Sequence, residues 1–270
     1  MNTKQKRLKD KAMKLKTIIF CVALAAQTGA MAQTEDRFEA WGPTNQETQT
    51  GWILRAGYVL GGTTPIPLPA EIRRIHEFKP LGGVTLGADF YHMFNRRWGL
   101  QVGWHFFYEG FHTGAKVKNY RMGITKDGNY LEGNFTGTDE TDTKMLGATV
   151  PLTATLRMSP RWNVSAGPFV SMLYYKTFEG MVYDGYLREG NPTGQKVEMT
   201  RDNPANYDFK DNMLNCYWGL EVLFDWKAMK HMNVFGGLDW AFSSVFPGDF
   251  QTVEFKMFPI YAKVGLAYRY

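Results

Sequence analysis

The sequence predicts an all-β protein, an antiparallel up-and-down β-barrel of eight strands that crosses a membrane. Three observations predict it. Apolar residues recur at every second position through most of the chain. The connections between the resulting strands alternate between short and long. The first 32 residues read as an export segment.

The strands come in order. Trp52, Leu54, Ala56, Tyr58 and Leu60 form one stripe, and Val84, Leu86, Ala88 and Phe90 form the next. Leu100–Tyr108, Leu146–Leu156, Val164–Tyr174, Trp218–Trp226, Val234–Phe242 and Ile260–Tyr270 repeat the pattern. Strands two and three join through 95–99, four and five through 159–162, and six and seven through 227–232. The other connections, about 61–80, 118–144, 180–213 and 244–256, are rich in Gly, Asp, Asn, Thr and Pro and read as loops. Short turns at one end and long loops at the other are the pattern of an outer-membrane barrel, with the turns in the periplasm and the loops outside. Ten strands stay open if parts of 115–135 or 180–200 pair within the membrane.

Polar residues fill the alternate positions. Arg55, Asp89, His105, Glu109, Arg157, Glu221, Asp225, Asp239, Lys263 and Arg269 fall there, four strong cations against five carboxylates. A soluble half-buried sheet turns its apolar face inward. Here the apolar face is aromatic and the chain is exported, so the expected arrangement is inverted, apolar toward lipid and polar toward the lumen. Buried charges must pair, and an eight-stranded lumen has room only for side chains or one small ligand. The expectation is a polar network that plugs the barrel. Trp98, Trp162 and Trp226 each flank a short turn and are read as an aromatic girdle at the membrane interface. The alternative is a soluble lipocalin-like barrel with these aromatics in its core.

The N-terminus carries Lys4, Lys6, Arg7, Lys9, Lys11, Lys14 and Lys16 before the apolar run 18–26, and Ala30-Met31-Ala32 makes a small-x-small cleavage site at Ala30 and Ala32. Met13 is a second candidate start, and Cys21 lies inside the apolar run, without the small neighbours of a lipidation site. The expected domains are a signal peptide over 1–32, a flexible periplasmic segment over 33–50 and the barrel over 51–270. The whole chain has 31 basic and 26 acidic residues; without the first 32 it has 24 and 25, a net charge of −1. That balance implies no nucleic-acid partner. Cys216 is then the only cysteine, so no disulfide framework exists.

The last strand ends on alternating Val264, Leu266, Tyr268 and Tyr270. A terminal aromatic strand of this kind resembles the signal read by outer-membrane barrel-assembly machinery. The strand Gly51–Tyr58, the strand Gly82–Ala88, Val150-Pro151-Leu152, Ala166–Phe169 and the closing Val264–Tyr270, in this order, resemble the PorT-like outer-membrane β-barrel family. The resemblance spans roughly residues 51–270. It implies an eight-stranded barrel in the outer membrane of a Gram-negative-type bacterium and carries over no catalytic residue.

No phosphate loop, calcium loop or zinc spacing is present, and no cofactor or metal is expected. His112 is the one histidine placed toward the long loops as a candidate for catalysis, weighed against a solvated loop histidine. Asp139, Glu140 and Asp142 read as a solvated charge run. The favoured function is a non-enzymatic scaffold. It contacts outer-membrane lipid and offers long loops to a surface protein or glycan. Small-solute transport, a role in a secretion system and a lipid-modifying or proteolytic activity are the alternatives.

Overall fold

The computed structural model describes residues 49–248 and 256–270. The signal-peptide reading, with Ala30 and Ala32, and residues 33–48 of the N-terminal segment lie outside the described residues.

Eleven strands follow in order: β1 (Gln49–Pro65), β2 (Ile72–Pro80), β3 (Gly83–Met93), β4 (Trp98–Lys126), β5 (Asn129–Arg157), β6 (Trp162–Glu189), β7 (Lys196–Met199), β8 (Ala205–Asp208), β9 (Cys216–Lys227), β10 (Met232–Ala241) and β11 (Met257–Arg269). Eight of them, β1, β3, β4, β5, β6, β9, β10 and β11, pair antiparallel in this order and close into a ring. The seam runs from Ile53↔Arg269 to Pro65↔Met257. Strand β1 begins at Gln49, two residues before the sequence boundary.

The short turns are built by local side chains. Asn95 Oδ1 accepts from the backbone N–H of Arg97 and of Trp98, both at 2.8 Å. Ser159 Oγ accepts from the Trp162 N–H at 3.1 Å. Such Asx and Ser turns hold a tight reversal without help from tertiary packing.

The barrel is inverted relative to a soluble protein. Along β1, Trp52, Leu54 and Leu60 are exposed, while Arg55 between them is 3% exposed. The outward apolar stripes end near Leu60, Val84, Tyr108, Leu146, Tyr174, Trp218, Phe242 and Ile260. A strand needs about 9–11 residues to cross the bilayer. Strands β4, β5 and β6 have 29, 29 and 28 residues. Beyond Tyr108, β4 runs on for about 60 Å at 3.3 Å per residue.

This corrects the reading of 61–80, 118–144 and 180–213 as loops. They form a β-structured extension. Strands β4 and β5 continue as one hairpin and β6 continues beside β5; β2 pairs with β4, β7 with β6, and β8 with both β4 and β6. Asp127 (φ 51°) and Gly128 (φ 80°) form its two-residue turn. Alternation fades in the sequence because bulges at 117–120 and 136–138 shift the phase of each strand. The ring still holds eight strands, since the extension lengthens three of them rather than adding new members.

Inside the extension the polarity reverts. Met122, Ile124, Phe135, Val182 and Leu187 are buried, and Lys116, Lys118, Asp142 and Lys144 are exposed. Gly128→Val places a β-branched residue at a left-handed φ. It is expected to raise protease cleavage at the hairpin tip at least several-fold. The cold-versus-boiled gel shift of the barrel stays unchanged.

Candidate functional site

Two sites stand out, a charged lumen within the membrane and an apolar cavity in the extension above it.

In the lumen, Arg55 of β1 is the hub. Its Nε donates to Asp89 Oδ2 at 2.6 Å, and its two terminal nitrogens donate to Asp225 at 2.6 and 3.0 Å. Asp89 lies on the neighbouring β3, but Asp225 lies on β9, three strands away around the other side of the ring. The guanidinium therefore crosses the barrel. Phe235 lies under it, with its ring centroid at 5.1 Å. His105 Nε2 bonds the second oxygen of Asp89 at 2.7 Å. A Cβ on Gly103 would come within 2.1 Å of that oxygen, so only glycine fits there.

A second group forms around Lys263 of β11. Its ammonium bonds Glu221, and Asp239 at 2.7 Å. Glu109 is buried and lines the same space as Asp239, Tyr261 and Lys263. Arg157 and Arg269 stand apart, at the short-turn mouth. Arg157 reaches Gln49 Oε1 at 3.4 Å, and Arg269 lies over the Tyr91 ring at 4.1 Å. Among the described residues neither makes an ion pair. The inner zone thus sets two strong cations against four buried carboxylates and the half-buried Asp239, not the near balance the sequence suggests. The difference arises because strand alternation gives the face and says nothing of depth. Thr149–Ser171 and Thr155–Ser165 pairs, at 2.7 and 2.9 Å, add neutral bonds across neighbouring strands.

Trp98 and Trp162 are exposed on the outer wall at the short-turn end, and Trp162 and Trp226 are cross-strand neighbours with ring centroids 6.5 Å apart. Val264, Leu266 and Tyr268 are exposed on the outer face of β11, the strand that closes the ring, and Tyr270 is exposed just past its end.

Above the charged zone, the stretch 205–213 folds inward. Tyr207 stacks on Phe209 (4.9 Å), Phe209 on Phe178 (6.3 Å), and Phe246 meets Phe178 edge-on (5.1 Å). Beside this cluster is a cavity of about 110 Å3, open to solvent, between the outer end of β1, β2, β4 and β5. Its wall is mainly apolar, including Leu68, Ile75, Phe78, Phe111, Val117 and Met122. Asp139 and Thr141 supply polar groups. Tyr207 Oη donates to Asp139 Oδ1 at 2.8 Å and shares a bond with the Thr141 hydroxyl at 2.6 Å.

The acidic run is therefore not a uniformly solvated one. Strand alternation sends Asp139 toward the cavity, where burial pushes its carboxyl up to about 7, with Glu140 adding to the rise and the Tyr207 bond opposing it. Glu140 accepts from Tyr183 Oη at 2.5 Å. Asp142 is exposed and bonds His112 Nδ1 at 3.0 Å across the β4–β5 ladder. His112 is 18% exposed and sits within a strand, not in a loop. Sequence reasoning passed over this cavity. Asp127-Gly128 flanked by alternating residues, and Phe178, Tyr207 and Phe209 inside polar stretches, were the available signals.

The sequence profile of the outer membrane protein beta-barrel domain matches residues 31–247. The chain belongs to this family. It is an outer-membrane β-barrel of a Gram-negative bacterium. No curated protein matches it. Among solved structures it is similar to Ail, the attachment invasion locus protein of Yersinia pestis, in complex with the heparin analogue sucrose octasulfate. The identity is 7%, with 82% of this chain and 99% of that one covered and a TM-score of 0.34. It is also similar to Neisserial surface protein A (8% identity, 83% and 100% covered, TM-score 0.35) and to OprG of Pseudomonas aeruginosa (15%, 83% and 98%, 0.32). The architecture of this family member rests on its own closed ring and on the profile match.

Arg55→Leu leaves Asp89 and Asp225 buried without their cation. It is expected to cost about 3–5 kcal/mol in urea unfolding of the detergent-solubilised barrel. Asp139 stays protonated in the fold up to about pH 7, whereas its unfolded value is 3.8. Its folded value is raised, so it progressively costs stability as pH climbs from about 4 to 7. Asp139→Asn is therefore expected to slow hydrogen exchange in β8 at pH 8 and to leave it nearly unchanged at pH 4. The ceiling of the effect is about 4 kcal/mol.

Proposed function

We propose that this outer-membrane barrel is a non-enzymatic scaffold of the PorT-like kind, with a plugged lumen and a stiff outer extension that meets a surface protein or glycan. The observation that carries the reading is Arg55, which bridges Asp89 and Asp225 across the lumen. A guanidinium held bidentately by one carboxylate and bonded by a second has little freedom to swing aside. Directly above it, Lys263, Glu221 and Asp239 add a second ion-paired group. The hydrogen-bonded strands of the extension support a recognition role, because binding surfaces on rigid elements lose little entropy on contact. The exposed apolar wall supports lipid contact, the exposed Trp98 and Trp162 an interfacial girdle, and the terminal aromatic stripe recognition by assembly machinery. Among the described residues, His112 bonds an exposed carboxylate on the outer face of the extension, away from the cavity.

Planar-bilayer recording of the purified barrel tests the plug. No steady conductance is expected for the native chain, and small flickering currents are expected for Arg55→Ala combined with Asp225→Ala. A large steady conductance in the native chain would overturn the scaffold reading in favour of transport.

A further inference from the structure

Among the described residues the backbone wall of the barrel is incomplete just outside the membrane. The β1–β3 ladder stops at Val59↔Gly83. Strand β1 continues to Pro65 with β11 alone on one side, and β2 continues from β3 with β4 alone on the other. The chain turns from β2 to β3 at Leu81-Gly82, where Gly82 has φ 78°. No backbone pairing joins residues 60–65 of β1 to β2. The gap is bridged by side chains only. A Cβ on Gly62 would lie 3.1 Å from both Phe78 and Phe111, so the two rings pack directly on that glycine. Phe78 and Phe111 stack at 6.2 Å. Around the gap, Ile66, Leu68, Ile75, Phe78 and Leu81 are all exposed.

The large cavity lies behind this gap. No Lys, Arg or His among the described residues lines it. Among the described residues its single carboxyl, Asp139, is bonded to Tyr207, and no cation lines the cavity beside it. An anionic head would lose its water in apolar surroundings with no cation among the described residues to compensate it. A cationic head would have to shed its water to enter a mainly apolar space. An uncharged head with a hydroxyl or carbonyl meets only hydrogen-bond partners, at Thr141, Tyr207 and Asp139. The chain of such a molecule would lie among Val117, Met122, Phe111 and Phe78.

We propose that this cavity binds an uncharged single-chain amphiphile, with its hydroxyl or ester end at Asp139, Thr141 and Tyr207, and that the gap between β1 and β2 is its way in. The exposed apolar residues at the gap begin where the lipid-facing stripes of β1 and β3 end, at Leu60 and Val84. A molecule leaving the outer leaflet reaches the gap without crossing the charged lumen. The site lies apart from the Arg55 plug and does not depend on the scaffold reading.

The test uses the full barrel in lipid nanodiscs with 13C-methyl methionine. Met122 and Met257 line the cavity, and Met229 lies at a short turn at the far end. Titration with 1-decanol is expected to shift the Met122 and Met257 methyl signals saturably and to leave Met229 in place. Decanoate and decylammonium at pH 6, where Asp139 is neutral, are expected to bind at least tenfold more weakly. Ala115→Trp, which fills the cavity, abolishes the shifts while keeping the cold-gel migration of the folded barrel. Should that variant misfold, Thr141→Val carries the test, with an expected loss of about fivefold in decanol affinity from one hydrogen bond. Shifts that grow linearly at all three methionines, equal or tighter binding of either charged analogue, or undiminished binding in Ala115→Trp or Thr141→Val would overturn the proposal.

Discussion

A strand inside a bilayer has no water to bond its backbone, so its N–H and C=O groups must find another strand on both sides. That constraint forces the seam between β1 and β11, and the rest of the barrel follows from the closure. Once the ring is shut, every residue points either to lipid or to a narrow interior. Trp52, Leu54 and Tyr58 take the lipid side, and Arg55 takes the interior. Interior charges have no solvent either, and so they bond one another. The ion pairs of Arg55 and Lys263 are thus consequences of a closed wall.

The constraint lapses at the membrane surface, and the structure changes character there. Strands β4, β5 and β6 pass through both environments without a break. Below Tyr108 they are apolar outside and polar inside; above it they are polar outside and bury Met122, Phe135 and Leu187. Bulges at 117–120 and 136–138 lie within the extension, where a slip of one residue exchanges the faces. Beyond Val59, β1 no longer needs a partner on its β3 side, because water can serve its backbone. The gap beside β2 is therefore permitted only outside lipid, and the cavity exists because of it.

The lumen also shows how an apparent charge balance can mislead. Counting inward charges along the strands gives four strong cations to five carboxylates. Arg157 and Arg269 belong to the open mouth, where solvent and Tyr91 serve them. Deeper in, Arg55 and Lys263 each serve two carboxylates. Small residues make this density possible. Gly103 leaves space for the Asp89–His105 bond, and Gly57 for the Phe235 ring beneath Arg55.

The sequence alone determined the membrane barrel. Period-two alternation is a local property, and it survives in one dimension as eight stripes, three short turns and an inward polar face. Two features required the tertiary structure. Which charges meet depends on ring order and depth, and Arg55 and Asp225 are 170 residues apart in sequence. The extension and its cavity depend on bulges that erase alternation, and on Asp139, Tyr207 and Phe178 converging from three strands or their flanks. Alternation assigns a face to each residue, but only the folded chain sets its height and its opposite number.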